Sequence, residues 1–170
     1  MAVPLISPCG SAVVTFKNLS PIIARVVDIL IERFMCRGHP NVRATHRSTL
    51  EFTRERYLTP RGDCILCVAA EKAVGDLSEE FKEALRSGAR LIVTVRVGDV
   101  CDTITAWGSA DLLLSDERSM VIRRSNYVDP RTLAVRADKA ARDVNRKLVE
   151  LLRNPETVAH VELRVENGRD

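Results

Sequence analysis

Hydrophobic and polar residues alternate with a period of two in several short runs of the chain. RLIVTVRVGD (90–99) and AHVELRVEN (159–167) alternate over their length, and DTITAW (102–107) follows the Gly98-Asp99 turn in the same way. VRATHRSTLEFT (42–53) sets Ala44, His46, Ser48, Leu50 and Phe52 against Thr45, Arg47, Thr49 and Glu51, so a strand is expected with His46 and Glu51 on opposite faces. ADLLLS and SMVIRRS flank the polar SDER and read as a hairpin. Helical spacing replaces alternation in PIIARVVDILIERF (21–34), in FKEALRSG (81–88) and in LVELLRNP (148–155), the last two stopping at Gly88 and Pro155. The pattern predicts an α+β domain with a sandwich-like or barrel-like sheet core of seven or eight strands, two main helices and an N-terminal helix. A doubly wound parallel sheet is disfavoured, because regular strand–helix alternation fails in the middle.

One stretch is written twice. AEKAVGDL (70–77) returns as ADKAARDV (137–144), each entered through a proline turn and a strand, TPRGDCILCV in the first and DPRTLAVR in the second. A helix and a further strand follow each copy, with Glu83/Glu150, Leu85/Leu152 and Arg86/Arg153 in register. Shared periodicity accounts for matched apolar positions but not for matched Lys and Asp. The expectation is a single globular domain over 38–168, built from two duplicated strand-helix-strand halves at 58–99 and 128–167. Residues 1–37 form an extension with the amphipathic helix, which either docks on the domain or precedes a native start at Met35. Arg25, Asp28, Glu32 and Arg33 interrupt that helix too often for a membrane span, and no signal-cleavage pattern follows it.

Charge adds a restriction. Lys and Arg number 26 against 23 Asp and Glu, a net +3, and the excess in residues 1–37 leaves the rest nearly neutral. That balance does not favour non-specific nucleic-acid binding, although it permits a local basic patch. Arginine dominates the basic residues, and glutamine is absent, as in proteins from hot habitats or high-GC genomes. The five cysteines are odd in number and scattered, which speaks against a secreted disulfide framework and for a cytoplasmic location. Cys64 and Cys67, in an apolar strand run, read as buried thiols.

Strong enzymatic signatures are missing: there is no Walker loop, GxGxxG, HExxH or serine elbow. His39, His46 and His160 have no metal-ligand spacing, so neither a metal nor a cofactor is implied. Lys72 and Lys139, two of five lysines, hold equivalent places at or just before a helix start, where a cation would complete a phosphate or carboxylate cradle. Asp76 and Asp143 stand beside them, and pairing of the lysines with these aspartates or with Glu71 and Asp138 is the structural alternative. Arg61 and Asp63 sit at the mouth of the first repeat strand, and His46 is either a general base or a rim histidine. These residues point to a small anionic, phosphate-bearing ligand held between the halves. The alternative is an RNA or protein partner met by Arg43, Arg47, Arg123 and Arg124.

The blocks GHPNVRATHRSTLEFTRERYLTPRGDCI, LSEEFKEALRSGA, SMVIRRS and RTLAVRADKAARD, in order from Gly38 to Val165, resemble an archaeal family of unassigned role, domain of unknown function family 371. The resemblance implies a β-rich, sandwich-like domain in an archaeal cytoplasm. It implies no established reaction and carries over no catalytic residue. The leader before Met35 departs from the family's usual start near GHPN.

Overall fold

The computed structural model describes residues 27–168. Eight strands and two helices follow in the order β1 (Val27–Arg37), β2 (Thr49–Thr53), β3 (Ile65–Cys67), α1 (Glu79–Arg86), β4 (Arg90–Val97), β5 (Val100–Trp107), β6 (Ser119–Arg123), β7 (Thr132–Ala134), α2 (Arg146–Leu151) and β8 (Val158–Gly168). The chain is thus mixed α+β and mostly strand. One four-stranded sheet runs β1-β8-β4-β5, all antiparallel; the other runs β3-β2-β6-β7, with β2 and β6 antiparallel and the outer strands parallel to their neighbours. Single antiparallel bridges, Arg37 to Val68 and Trp107 to Val135, stitch the two sheets together at both edges.

Alternation decides which face is buried. Leu91, Val93 and Val95 of β4 and Val161, Leu163 and Val165 of β8 point into a core shared with Leu50, Phe52, Met120 and Ile122 of the second sheet. Phe34 and Phe52 meet edge to face at 5.6 Å across the two layers. Helix α1, capped where Ser78 Oγ accepts from Phe81 N, contributes Phe81 and Leu85 to this core; α2 contributes Leu148.

The same succession of elements occurs twice, and its contacts are reciprocal. Gly75 N donates to Asp116 O, and Arg142 N to His46 O. Arg86 Nε donates to Leu112 O, and Arg153 Nε to Val42 O. The four non-glycine residues with left-handed φ also fall into pairs, Ala44 with Leu114 and Ala69 with Arg136. Equivalent positions are 70 apart up to β2 and β6, 67 apart from β3 and β7 through the helices, because Gly62–Cys64 has no counterpart in the second half, and 68 apart in β4 and β8.

Several expectations are corrected. Residues 27–34, read as the end of an amphipathic helix, and 35–37, read as the rest of the extension, together form strand β1, paired along its length with β8; the start of that expected helix lies outside the described residues. The expected strand over 42–53 begins only at Thr49, its first half being loop with Ala44 in the left-handed region. ADLLLS is likewise loop, so no hairpin precedes β6. The repeated octapeptides form turns around short 3-10 segments, Val74–Asp76 and Ala141–Asp143, so Lys72 and Lys139 stand well before the starts of α1 and α2. Cys67 is not a thiol: it is bonded to Cys36 on β1, 31 residues away. Closing a loop of that size stabilises the fold by roughly 4 kcal/mol.

Candidate functional surface

Each lysine is paired with a carboxylate. Lys72 Nζ donates to Glu32 Oε2 at 2.7 Å, and Lys139 Nζ to Asp102 Oδ1 at 2.6 Å. The other oxygen of each carboxylate accepts a backbone amide, Ser78 N on Glu32 and Asn145 N on Asp102. Glu32 and Asp102 lie on β1 and β5, opposite edges of one sheet, about 14 Å apart at three strand spacings. The ammonium groups therefore tie each half's turn to an edge strand and do not converge. Their partners are not the expected Glu71, Asp138, Asp76 or Asp143.

Burial pushes the Glu32 carboxyl up, but hydrogen bonds from Lys72 and Ser78 and the ammonium charge outweigh it and hold the pKa below the ordinary value of 4.5. A lowered carboxylate stabilises the fold above its unfolded pKa and loses that contribution as pH falls through the folded one. The melting temperature should therefore drop as pH falls below 4.5, and Glu32→Gln should flatten this part of a calorimetric pH profile.

Asp76 Oδ2 accepts from Ala73 N and pairs with Arg54; Asp143 Oδ2 accepts from Ala140 N and lies 3.6 Å from Arg124. Both close their own turns. His46 Nδ1 accepts from Ser48 N and Thr49 N, and lies 2.9 Å from Thr49 Oγ1. Because β2 starts at Thr49, the odd spacing from His46 to Glu51 does not separate them: Thr49 shares a face with Glu51 and holds the imidazole. Buried Glu51 accepts from the Cys64 thiol at 3.3 Å. Burial, then the neighbouring carboxylate, pushes that thiol up to about 12, so it stays protonated and unreactive. Asp63 O accepts from Thr45 N and His46 N, while Arg61 is exposed on the same loop. Among the described residues no cluster of His, Cys, Asp and Glu could hold a metal ion.

Around His46 the loop 38–48 meets the second half's turn and α2. Arg146 donates to Ala44 O and Arg43 O, Arg142 N to His46 O, and Arg124 N to Ser48 O. Seven basic residues (Arg43, Arg47, Arg124, Arg142, Arg146, Lys147 and Arg153) stand on this surface against Asp143 and Glu150. Only Arg124 and Arg142 have a carboxylate within ion-pair distance among the described residues. The equivalent surface, loop 108–118 with Arg54 and 74–86, carries four basic residues against seven acidic ones. Leu113 replaces Arg43, Glu117 replaces Arg47, Gly75 replaces Arg142, and Glu79 and Glu80 replace Arg146 and Lys147. Arg123, counted with the patch in the sequence, is instead buried against Thr132 and Asp129.

The model of the family described as Domain of unknown function (DUF371) matches residues 34–166. The chain belongs to the DUF371 family. It is similar to the uncharacterised protein MJ0206 of the archaeon Methanocaldococcus jannaschii, 50% identical over 117 residues that cover 69% of this chain and 87% of the relative. The matched DUF371 region includes both the basic surface and its acidic counterpart. It leaves out most of β1, and with it Glu32, the partner of Lys72. No helix among the described residues is long and apolar enough to cross a membrane.

Proposed function

We propose that this DUF371 chain contacts the phosphate backbone of RNA through the arginine surface formed by loop 38–48, Arg124 and residues 141–153. The observation that carries the reading is the charge difference between two surfaces of the same build. We infer that the halves are copies of one ancestral unit, supported by their reciprocal hydrogen bonds and paired left-handed residues. Packing demands are then alike on the two surfaces, and folding alone gives no reason for one to be strongly basic and the other acidic.

The surface holds its charges at some electrostatic cost. Burial lowers the pKa of Arg146, and the positive charge of Arg153 lowers it further. Phosphates would relieve that repulsion, and arginine is well suited to their geometry. The basic residues come from a loop, a turn and the six-residue helix α2 rather than from one long exposed helix face, so contact with the backbone of single strands or loops fits better than base readout. A small anion at Lys72 and Lys139, by contrast, would have to displace Glu32 and Asp102.

Fluorescence anisotropy of labelled, mixed-sequence single-stranded RNA tests the reading across a salt series. With about four phosphates neutralised, log K should fall against log salt with a slope of about −3. Absent or salt-independent binding at low salt would refute it.

A further inference from the structure

The second half carries a polar cleft of about 470 Å³ where β5 and β7 end and α1 terminates, lined by Ser109, Asp111, Asn126 and Arg136 together with Gly88 and Gly108. The Asp111 carboxylate and the Asn126 amide have no side-chain partner among the described residues, and the Arg136 guanidinium only stacks on the Trp107 ring, 5.9 Å from its centroid. Arg136 and Asp111 do not pair with each other.

In the first half the corresponding residues are His39, Asn41, Arg56 and Ala69. Two of them are used internally: His39 Nδ1 accepts from Asn41 N, and Asn41 Nδ2 donates to Leu58 O. Packing therefore does not demand an Asp, an Arg and a tryptophan at these places, since Asn41, Ala69 and Arg37 serve in the other copy. An anion-seeking and a cation-seeking group facing one space without neutralising each other match a ligand that carries both charges.

We propose that this cleft binds a small zwitterion of the α-amino-acid type. Its carboxylate meets Arg136, its ammonium meets Asp111, and its side chain lies against Trp107. The adjoining C-terminal end of α1 favours the ammonium as well. The site is separate from the arginine surface and does not depend on it.

Trp107 is the only tryptophan of the chain, and its ring lies against the Arg136 guanidinium of the cleft, so its emission reports on occupancy at Arg136. The full chain would be titrated with each of the common L-amino acids, following Trp emission and calorimetric heat in parallel. Saturable binding of at least one amino acid is expected. Its N-acetyl and decarboxylated forms, each lacking one charge, should bind about tenfold or more weakly. Asp111→Asn and Arg136→Ala should each weaken binding to a similar extent; both should fold, because Asn41 and the equally left-handed Ala69 occupy the equivalent positions. Neither heat nor emission change with any amino acid at about 10 mM, or binding that survives both substitutions, would overturn the proposal.

Discussion

Gly108→Ala is expected to lower the stability of the chain by about 3 kcal/mol and its melting temperature by about 9 °C. A Cβ at this position would lie 1.9 Å from Leu85 O and 2.7 Å from Leu85 C, both backbone atoms of α1. No rotamer change can relieve such a contact. Either the end of β5 or the last turn of α1 must move, and each is already fixed: Gly108 N donates to Ala89 O, and Arg86 Nε to Leu112 O. Gly98 is the control, since its φ is +57° but an added Cβ meets nothing within 4 Å. Gly98→Ala should cost only the left-handed strain, about 1 kcal/mol. Thermal unfolding followed by circular dichroism separates the two, and equal losses would mean that the close approach to α1 is not what Gly108 supplies.

The largest functional effect is expected from Arg43→Glu combined with Arg47→Glu. Both side chains are exposed and neither has an ion-pair partner among the described residues, so the exchange should leave the melting temperature within about 1 °C. It should nevertheless weaken RNA binding by about a hundredfold at low salt and make the salt slope shallower by about two thirds of a unit for each phosphate no longer neutralised. The matching exchange on the opposite surface, Glu79→Arg with Glu80→Arg, should leave native affinity intact or raise it. Weaker binding from the second exchange and not the first would mean that RNA lies on the opposite surface.

Legibility in the sequence follows from how many faces of an element are buried. Strands β4, β5 and β8 are plain because a buried face alternates with a partly solvated one, Leu91, Val93 and Val95 against Ile92, Thr94 and Arg96. In β1 the outward face carries exposed Ile31 and Met35; apolar residues on both sides blur the period of two into something that resembles a helix. The loop before β2 alternates like a strand, yet its backbone groups go to Asp63 O, His39 O and the Arg146 guanidinium, partners more than a hundred residues away in the last case. The carboxylates that hold the lysines escape notice for a similar reason. Glu32 and Asp102 are 70 apart while the lysines are 67 apart, so the relation becomes visible only once the Gly62–Cys64 insertion is recognised and the repeat is carried back into β1.

Charge illustrates the same limit from the other side. The sum of +3 argues against a polyanion partner because a sum discards position, and only the fold distributes the residues into a basic surface and an acidic one. His46 and Asp63, picked out for chemistry in the sequence, instead organise the loop on which that basic surface stands.

Amide chemical-shift mapping of the isotope-labelled chain, with and without a short single-stranded RNA, tests the central claim most directly, since it asks which of two alike surfaces is used. The expected perturbations cluster at 42–48, 124 and 142–153, fade with added salt, and leave 112–118 and 75–86 undisturbed. Shifts shared by both surfaces, or confined to the acidic one, would contradict the assignment of function to the arginine surface.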